Sequence, residues 1–264
     1  MAASIYSCSA ILLALLASWV WVIDQNVPQP YLDEVFHIPQ AQQYCAGHWR
    51  SWDPKITTPP GLYLSAAILS PILGCSTTVL RIENAVCLIV LFYGLRGLAL
   101  RSRRLGDVEA VRQNASRSTA SHIALNTVLF PPLFFFAALY YTDVASTLAV
   151  VTFLNCQRSS ALLRHPQAFQ AVFLFLLGLW TLIFRQTNIF WVAIFPAATV
   201  LVQELDTGHA VVKQSMHEGK SGFGDNWLSI VKTSYRMRVI YNPAIKRSQF
   251  EGEDPATHRL HMLT

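Results

Sequence analysis

"IYSCSAILLALLASWVWVI", residues 5–23, is an apolar run without a single charge. Its length is close to the ~20 residues that an α-helix needs to cross the hydrocarbon of a bilayer. A cleaved signal peptide is the competing reading. However, no basic region precedes the run, and bulky "SWVWVI" at residues 18–23 stands where a small-residue cleavage site would be. The stretch reads as a signal-anchor.

The rest of the chain agrees. Of 264 residues, 53% are hydrophobic and only 13% are charged, well below the ~25% charge of soluble domains. Further runs of suitable character are Val79 to Leu100, Ser121 to Tyr140, Ala168 to Phe184 and Ile189 to Val202, with a weaker one at Val144 to Cys156. The expectation is an all-α, polytopic integral membrane protein with about six crossings. "GLYLSAAILSPILG", residues 61–74, is too short for a standard span and holds Pro71. It could be a thin crossing or a helix lying in the interface.

Loop charge orients the spans. Residues 101–118 carry five arginines against Asp107 and Glu109, a net +3, and residues 157–166 carry Arg158 and Arg164 without an acid. Both loops are expected in the cytosol. They fall on one side only if residues 61–74 do not cross. In that topology Asn114 of the sequon Asn114-Ala115-Ser116 is cytosolic and unglycosylated, and three polar motifs face the opposite side. The net charge of +5 follows this topology pattern, and no nucleic-acid partner is expected because Lys and Arg are not interleaved with aromatics on a polar surface.

The first of those motifs begins with Asp33 and Glu34 just beyond the first span, in apolar company. Desolvation there would raise the basicity of a carboxylate that must take a proton, which suits a general base. An ordinary acidic pair marking the end of a span is the alternative. Pro39 suits the first turn of a helix, so Gln40, Gln43 and Tyr44 could share one face. Farther on, Trp49, Trp52, Asp53 and Lys55 precede a rigid Pro59-Pro60-Gly61 turn. Aromatic faces with carboxylate and amide hydrogen bonds hold sugars, and a lysine can meet a phosphate. Interfacial tryptophans, however, also occur in most membrane proteins.

Asp143 in "LYYTDVAS" and Arg185 in "IFRQTNIFW" lie at span ends on the same side as Asp33. A guanidinium there is a natural bidentate partner for a lipid phosphate, although it could simply snorkel to the interface. Arg81 and Glu83 read as an intramembrane structural pair. The five cysteines form no CxxC pair. Nothing resembles a metal-ligand motif around His37, His48, Cys45 and Asp53, so no metal or cofactor is called for. Cys45 and Cys75 would share the oxidising side and could pair.

Four blocks in order, "YLDEVFHIPQAQQYC", "WDPKITTPPGLYL", "LYYTDVAS" and "FRQTNIFW", closely resemble the dolichyl-phosphate-glucose-dependent alpha-1,2-glucosyltransferases of the endoplasmic reticulum, membrane enzymes of the GT-C class. The resemblance implies a fold with luminal juxtamembrane helices, located in the endoplasmic reticulum membrane. It implies dolichyl-phosphate glucose as donor and the dolichyl-diphosphate-linked oligosaccharide as acceptor, with inversion at the anomeric carbon and no obligatory metal. On this chain it implies Asp33 as the base, with Glu34 second. The implied substrate-binding set is His37, Gln40, Trp52, Asp53, Lys55, Tyr141, Asp143, Arg185 and Gln186.

After about Val202 the chain departs from the family. Residues 1–204 read as the membrane-embedded front module and residues 205–264 as a polar, poorly ordered cytosolic tail, as in a shortened gene product. The expectation on that reading is that residues 1–264 alone do not transfer glucose. A non-catalytic membrane fragment or scaffold is the alternative. A transporter fits the spans but not the clustering of polar motifs in one loop.

Overall fold

The computed structural model describes residues 2–103, 110–159 and 161–202, together with residues 228, 231, 232, 235 and 236. The polar tail expected over residues 205–264 lies outside the described residues except at those five positions. The chain divides into two units, Met1–Ile194 and Phe195–Thr264. In the second, the described stretch 195–202 is helical, with Val200, Leu201 and Val202 exposed.

The first unit is built from eight α-helices among the described residues: α1 (Ala2–Asn26), α2 (Glu34–Cys45), α3 (Gly61–Leu73), α4 (Thr77–Arg103), α5 (Ala110–Val128), α6 (Pro131–Ala137), α7 (Thr142–Gln157) and α8 (Gln167–Phe184). No strand occurs among these residues. With 25 residues at about 1.5 Å rise each, α1 is longer than the ~30 Å hydrocarbon core. Its Cys8, Leu12 and Leu16 are buried at helical spacing, while Ile11, Leu13, Leu15 and Trp21 are exposed. An apolar helix that shows half its apolar side chains outward is solvated by lipid, and the same holds for α8, with Phe169, Val172, Phe175 and Leu176 exposed. The protein is thus an all-α polytopic membrane protein.

Among the described residues three helical stretches are long and apolar enough to cross, Ile5–Asn26, Thr77–Arg101 and Gln167–Phe184, and a fourth counts if the bent pair Arg117–Val128 and Pro131–Ala137 is one span. The expectation of about six crossings also included α7, with 16 residues, and the shorter apolar helix Gln186–Val202. The run Ser121 to Tyr140 is not one straight helix. It bends by 71° because Phe130, before a proline, leaves the helical region (ψ 123°) and Pro131 opens a new helix. Part of the basic loop at residues 101–118 is also helical, since α4 runs to Arg103 and α5 begins at Ala110. The side chain of Asn114 is outside the described residues.

α4 is the central helix, packed on both α5 and α7, and α1 closes against α4 and α5. Their shared core holds Leu12, Leu16, Leu88, Leu91, Phe92, Ala124 and Val151. A second core lies where α2 and α3 meet the start of α7 and the end of α8, with Ile38, Tyr63, Tyr140 and Phe184. α3 spans only about 20 Å with its 13 residues. That is too short to cross, so the interfacial reading of residues 61–74 is the one its length supports.

Candidate active site

The chain between α1 and α2 is held by one buried ion pair. Glu34, the first residue of α2, accepts hydrogen bonds from Arg81 Nε (2.9 Å) and Nη2 (2.6 Å). It also accepts the backbone N–H groups of Tyr31 (3.0 Å) and Tyr140 (2.7 Å). Arg81 also donates from Nη1 to the Val27 carbonyl and from Nη2 to the Gln29 carbonyl. Both side chains are essentially inaccessible, at 1% and 0%. A buried pair of charges is tolerated only when its lone pairs and protons are satisfied this completely. One expectation is corrected here. Arg81 pairs with Glu34 and not with Glu83, because the α1–α2 connection folds back over α4. Glu34 carries four donors on its carboxylate and anchors that connection.

Asp33 differs from its neighbour. Its backbone N–H donates to the Tyr141 hydroxyl at 2.6 Å, while its carboxylate is exposed and accepts nothing from the described residues. Leu32, just before it, sits in the left-handed region with φ 54°, a strained conformation for a residue with a Cβ. Asp33 is therefore held through its backbone, with its oxygens free among the described residues. The desolvation expected from its apolar company falls on Glu34 instead.

One turn along α2, His37 is buried, and its Nδ1 is hydrogen bonded to the Tyr63 hydroxyl at 2.6 Å. The Tyr141 ring meets it edge-on at 5.8 Å. Burial pushes the imidazole below its ordinary pKa. The carboxylates of Asp33, Asp143 and Glu34 oppose that shift, and Arg185 reinforces it. Four charged groups from three parts of the chain therefore act on one ring. Burial also pushes the Tyr63 phenol up to about 12 and raises that of Tyr141, the latter offset in part by the hydrogen bond from Asp33. Both stay protonated.

Arg185 ends α8 in an extended conformation. Its Nη2 bonds Asp143 at 3.0 Å and its Nε donates to the Thr142 hydroxyl at 3.1 Å. The ion pair is about one-third exposed, 37% and 34%, so an incoming anion can reach it. Asp143 lies in the first turn of α7, where the helix dipole favours an acid. Behind them Asn188 fixes the turn after Arg185. It donates to the Thr181 carbonyl (2.8 Å) and accepts from the Ser146 hydroxyl (3.1 Å). Gln186 itself is exposed.

The loop from α2 to α3 carries the remaining candidates. Gln40 is buried and its amide holds the loop, donating to the Ser51 carbonyl (2.7 Å) and accepting the Asp53 N–H (2.9 Å). These two bonds make it an anchor of the loop. Gln43 is exposed and bonded to His48, so it does not share the buried face of Gln40 and Tyr44. Pro39 is not at the helix start either, because α2 begins at Glu34, five residues before Pro39. Lys55 lies over the Phe36 ring at 5.5 Å. Cys45 and Cys75 form the disulfide that the sequence left open. It ties the end of α2 to the turn before α4.

The sequence reading missed Tyr63, Asn188 and the Glu34–Arg81 clasp. Tyr63 sits inside the quoted "GLYL", but nothing in that string reveals a phenol aimed at His37. Only the pairing of α2 with α3 does.

The comparisons with known proteins agree with the resemblance. No solved structure matches. A protein of Gibberella zeae named "Dol-P-Glc:Glc(2)Man(9)GlcNAc(2)-PP-Dol alpha-1,2-glucosyltransferase" is 44% identical over 206 residues, which cover 72% of this chain and 28% of that one. Proteins of the same name from Aspergillus fumigatus and Arabidopsis thaliana are 38% and 39% identical, over 90% and 70% of this chain and 38% and 36% of theirs. The chain spans about a third of the length of the curated relatives it matches. Residues 27–249, which contain every candidate site residue above, match the DIE2/ALG10 family, and the chain belongs to that family.

Proposed function

We propose that these residues form part of the active site of a hexosyltransferase that takes glucose from dolichyl-phosphate glucose and delivers it in alpha-1,2 linkage to a dolichyl-diphosphate-linked oligosaccharide. The observation that carries the reading is Asp33, an exposed carboxylate with no partner among the described residues, oriented through its own N–H by Tyr141, together with an accessible arginine that acts on the same His37 ring. In the reaction Asp33 accepts the proton of the acceptor 2-hydroxyl as its oxygen attacks the anomeric carbon. The glycosyl-phosphate bond breaks, and Arg185 takes up the charge on the departing lipid phosphate by exchanging Asp143 for it. Lys55 is a second cation for the same phosphate. His37, neutral through burial, supplies a fixed hydrogen-bonding ring nitrogen beside the base.

The reading places this face of the protein in the lumen of the endoplasmic reticulum. Two features support it: the arginine-rich stretch at residues 101–118 belongs on the cytosolic side, and the Cys45–Cys75 disulfide belongs in an oxidising compartment. The alternative of a non-catalytic fragment is not favoured, because the relatives reported above all bear the name of the enzyme.

The test is Asp33→Asn, made in this chain and at the matching aspartate of a longer relative that carries the same motif. In the relative, turnover of dolichyl-phosphate glucose falls by at least ~100-fold with donor affinity retained. Turnover close to normal would move the base elsewhere and sink the assignment.

A further inference from the structure

Beyond the base and the donor phosphate, the α2–α3 loop carries an array of rings that neither role uses. Trp49 is 56% exposed and Trp52 39% exposed, yet both are fixed. The Tyr44 ring meets Trp49 at 5.5 Å and Trp52 at 6.5 Å, and Trp52 meets Tyr63 at 5.9 Å. From beneath, the buried Gln40 grips Ser51 and Asp53, and the Cys45–Cys75 disulfide closes the base of the loop. Asp53 uses Oδ1 to accept the Lys55 N–H. Its other oxygen, and the indole N–H groups of Trp49 and Trp52, are uncommitted among the described residues.

We propose that Trp49, Trp52 and Asp53 form a saccharide-binding shelf that holds the distal sugars of the acceptor. Three features carry this. The rings are rigid and exposed, so a sugar face can stack on them without first ordering a loop. Free N–H donors and a free carboxylate oxygen lie at their rim, the mixture that sugar hydroxyls require. Finally, the shelf is continuous with the base. Trp52 touches Tyr63, Tyr63 bonds His37, and His37 meets Tyr141, whose hydroxyl holds Asp33. A short oligosaccharide lying on the rings would therefore present its terminal unit at Asp33. A membrane-interface belt would also expose tryptophans. It would not need a buried glutamine and a disulfide to fix them, and Asp53 would repel anionic headgroups.

The proposal rests on the glucosyltransferase reading, and the experiment separates the two. The purified 264-residue protein, in nanodiscs of phosphatidylcholine, is titrated calorimetrically with a water-soluble diglucosyl oligosaccharide that lacks lipid and phosphate. Donor is absent. Saturable binding is expected, weakened ~10-fold or more in Trp52→Ala and Trp49→Ala and largely kept in Trp52→Phe, which preserves a ring. Asp53→Asn weakens binding as well. The thermal midpoint of each variant shows whether the loop is intact, and Trp52→Phe gives the comparison if Trp52→Ala is unstable. Absence of saturable binding by the wild type overturns the proposal. So does equal binding by wild type and all variants, or a loss confined to partition of the variants into phosphatidylcholine vesicles, which would make the rings a lipid belt. Oligosaccharide binding with no glucose transfer in the longer relative would keep the shelf and reject the enzymatic reading. Transfer with an acceptor KM indifferent to the tryptophans would do the reverse.

Discussion

Arg81 and Glu34 meet at 2.6 Å with neither side chain accessible, and through them α4 holds the connection between α1 and α2 against the start of α7. The pair sits one residue from the candidate base, so it sets where Asp33 stands without entering the chemistry. Removing one partner leaves a buried charge uncompensated, at a cost of about 3–5 kcal/mol. Arg81→Leu should therefore lower the thermal midpoint of the purified protein sharply. Combining it with Glu34→Leu should recover much of the loss, because no lone charge then remains. A double variant no more stable than Arg81→Leu would contradict the clasp.

The second prediction concerns pH. His37 is held below its ordinary value by burial, so the folded state binds fewer protons than the unfolded state between the lowered value and ~6.5. Stability from keeping His37 neutral is complete above ~6.5 and is lost as pH falls through that window. The carboxylates of Asp33, Asp143 and Glu34 and the Arg185 guanidinium all act on the ring, so the comparison must be with a variant that leaves them in place. His37→Gln should flatten the decline in the unfolding midpoint between pH 7 and pH 5 relative to wild type. Parallel curves for the two proteins would rule out His37 as its source.

Gly61 marks a close approach that no side chain can enter. A Cβ at this position would lie 2.7 Å from the Ile183 carbonyl oxygen and 2.9 Å from the Phe184 nitrogen, both backbone atoms. Gly61→Ala must push α3 away from the end of α8, at about 1–3 kcal/mol. It should lower the thermal midpoint, and by displacing Arg185 it should weaken donor binding too. An unchanged midpoint would show that the two backbones are farther apart.

Cys45 and Cys75 close a separation of 30 residues, for which loop-entropy arguments give roughly 3–4 kcal/mol. Denatured without reductant, the protein should react at Cys8, Cys87 and Cys156 only, as counted by mass after alkylation. Alkylation of all five would disprove the bridge. A glycosylation reporter after Gly47, near the disulfide, should be modified and one after Ser116 should not. Modification at both would mean that residues 61–74 cross the bilayer.

The sequence by itself determined what depends on local composition. Residues 5–23 are apolar at every register, so a lipid-facing helix follows wherever they pack. The same holds for α8, whereas α4 is an apolar span that also carries the buried Arg81 and Asn84. Pro131 and Pro132 were visible too, and the 71° bend is their local consequence, although the apolar run through Tyr140 hid it. The motifs around Asp33, Asp143 and Arg185 stood out because polar residues at span ends are costly unless they have a purpose. Tertiary structure alone gives Asp33 and Glu34 different surroundings. Adjacent and chemically alike, they differ only in where the chain turns them. The left-handed Leu32 and the first turn of α2 send Glu34 inward to Arg81, 47 residues away, and leave Asp33 outside. Gln40 anchors the loop through backbone atoms that the helix meets only after the loop folds over it. Partners such as these come from long-range packing, and no spacing within a motif encodes them.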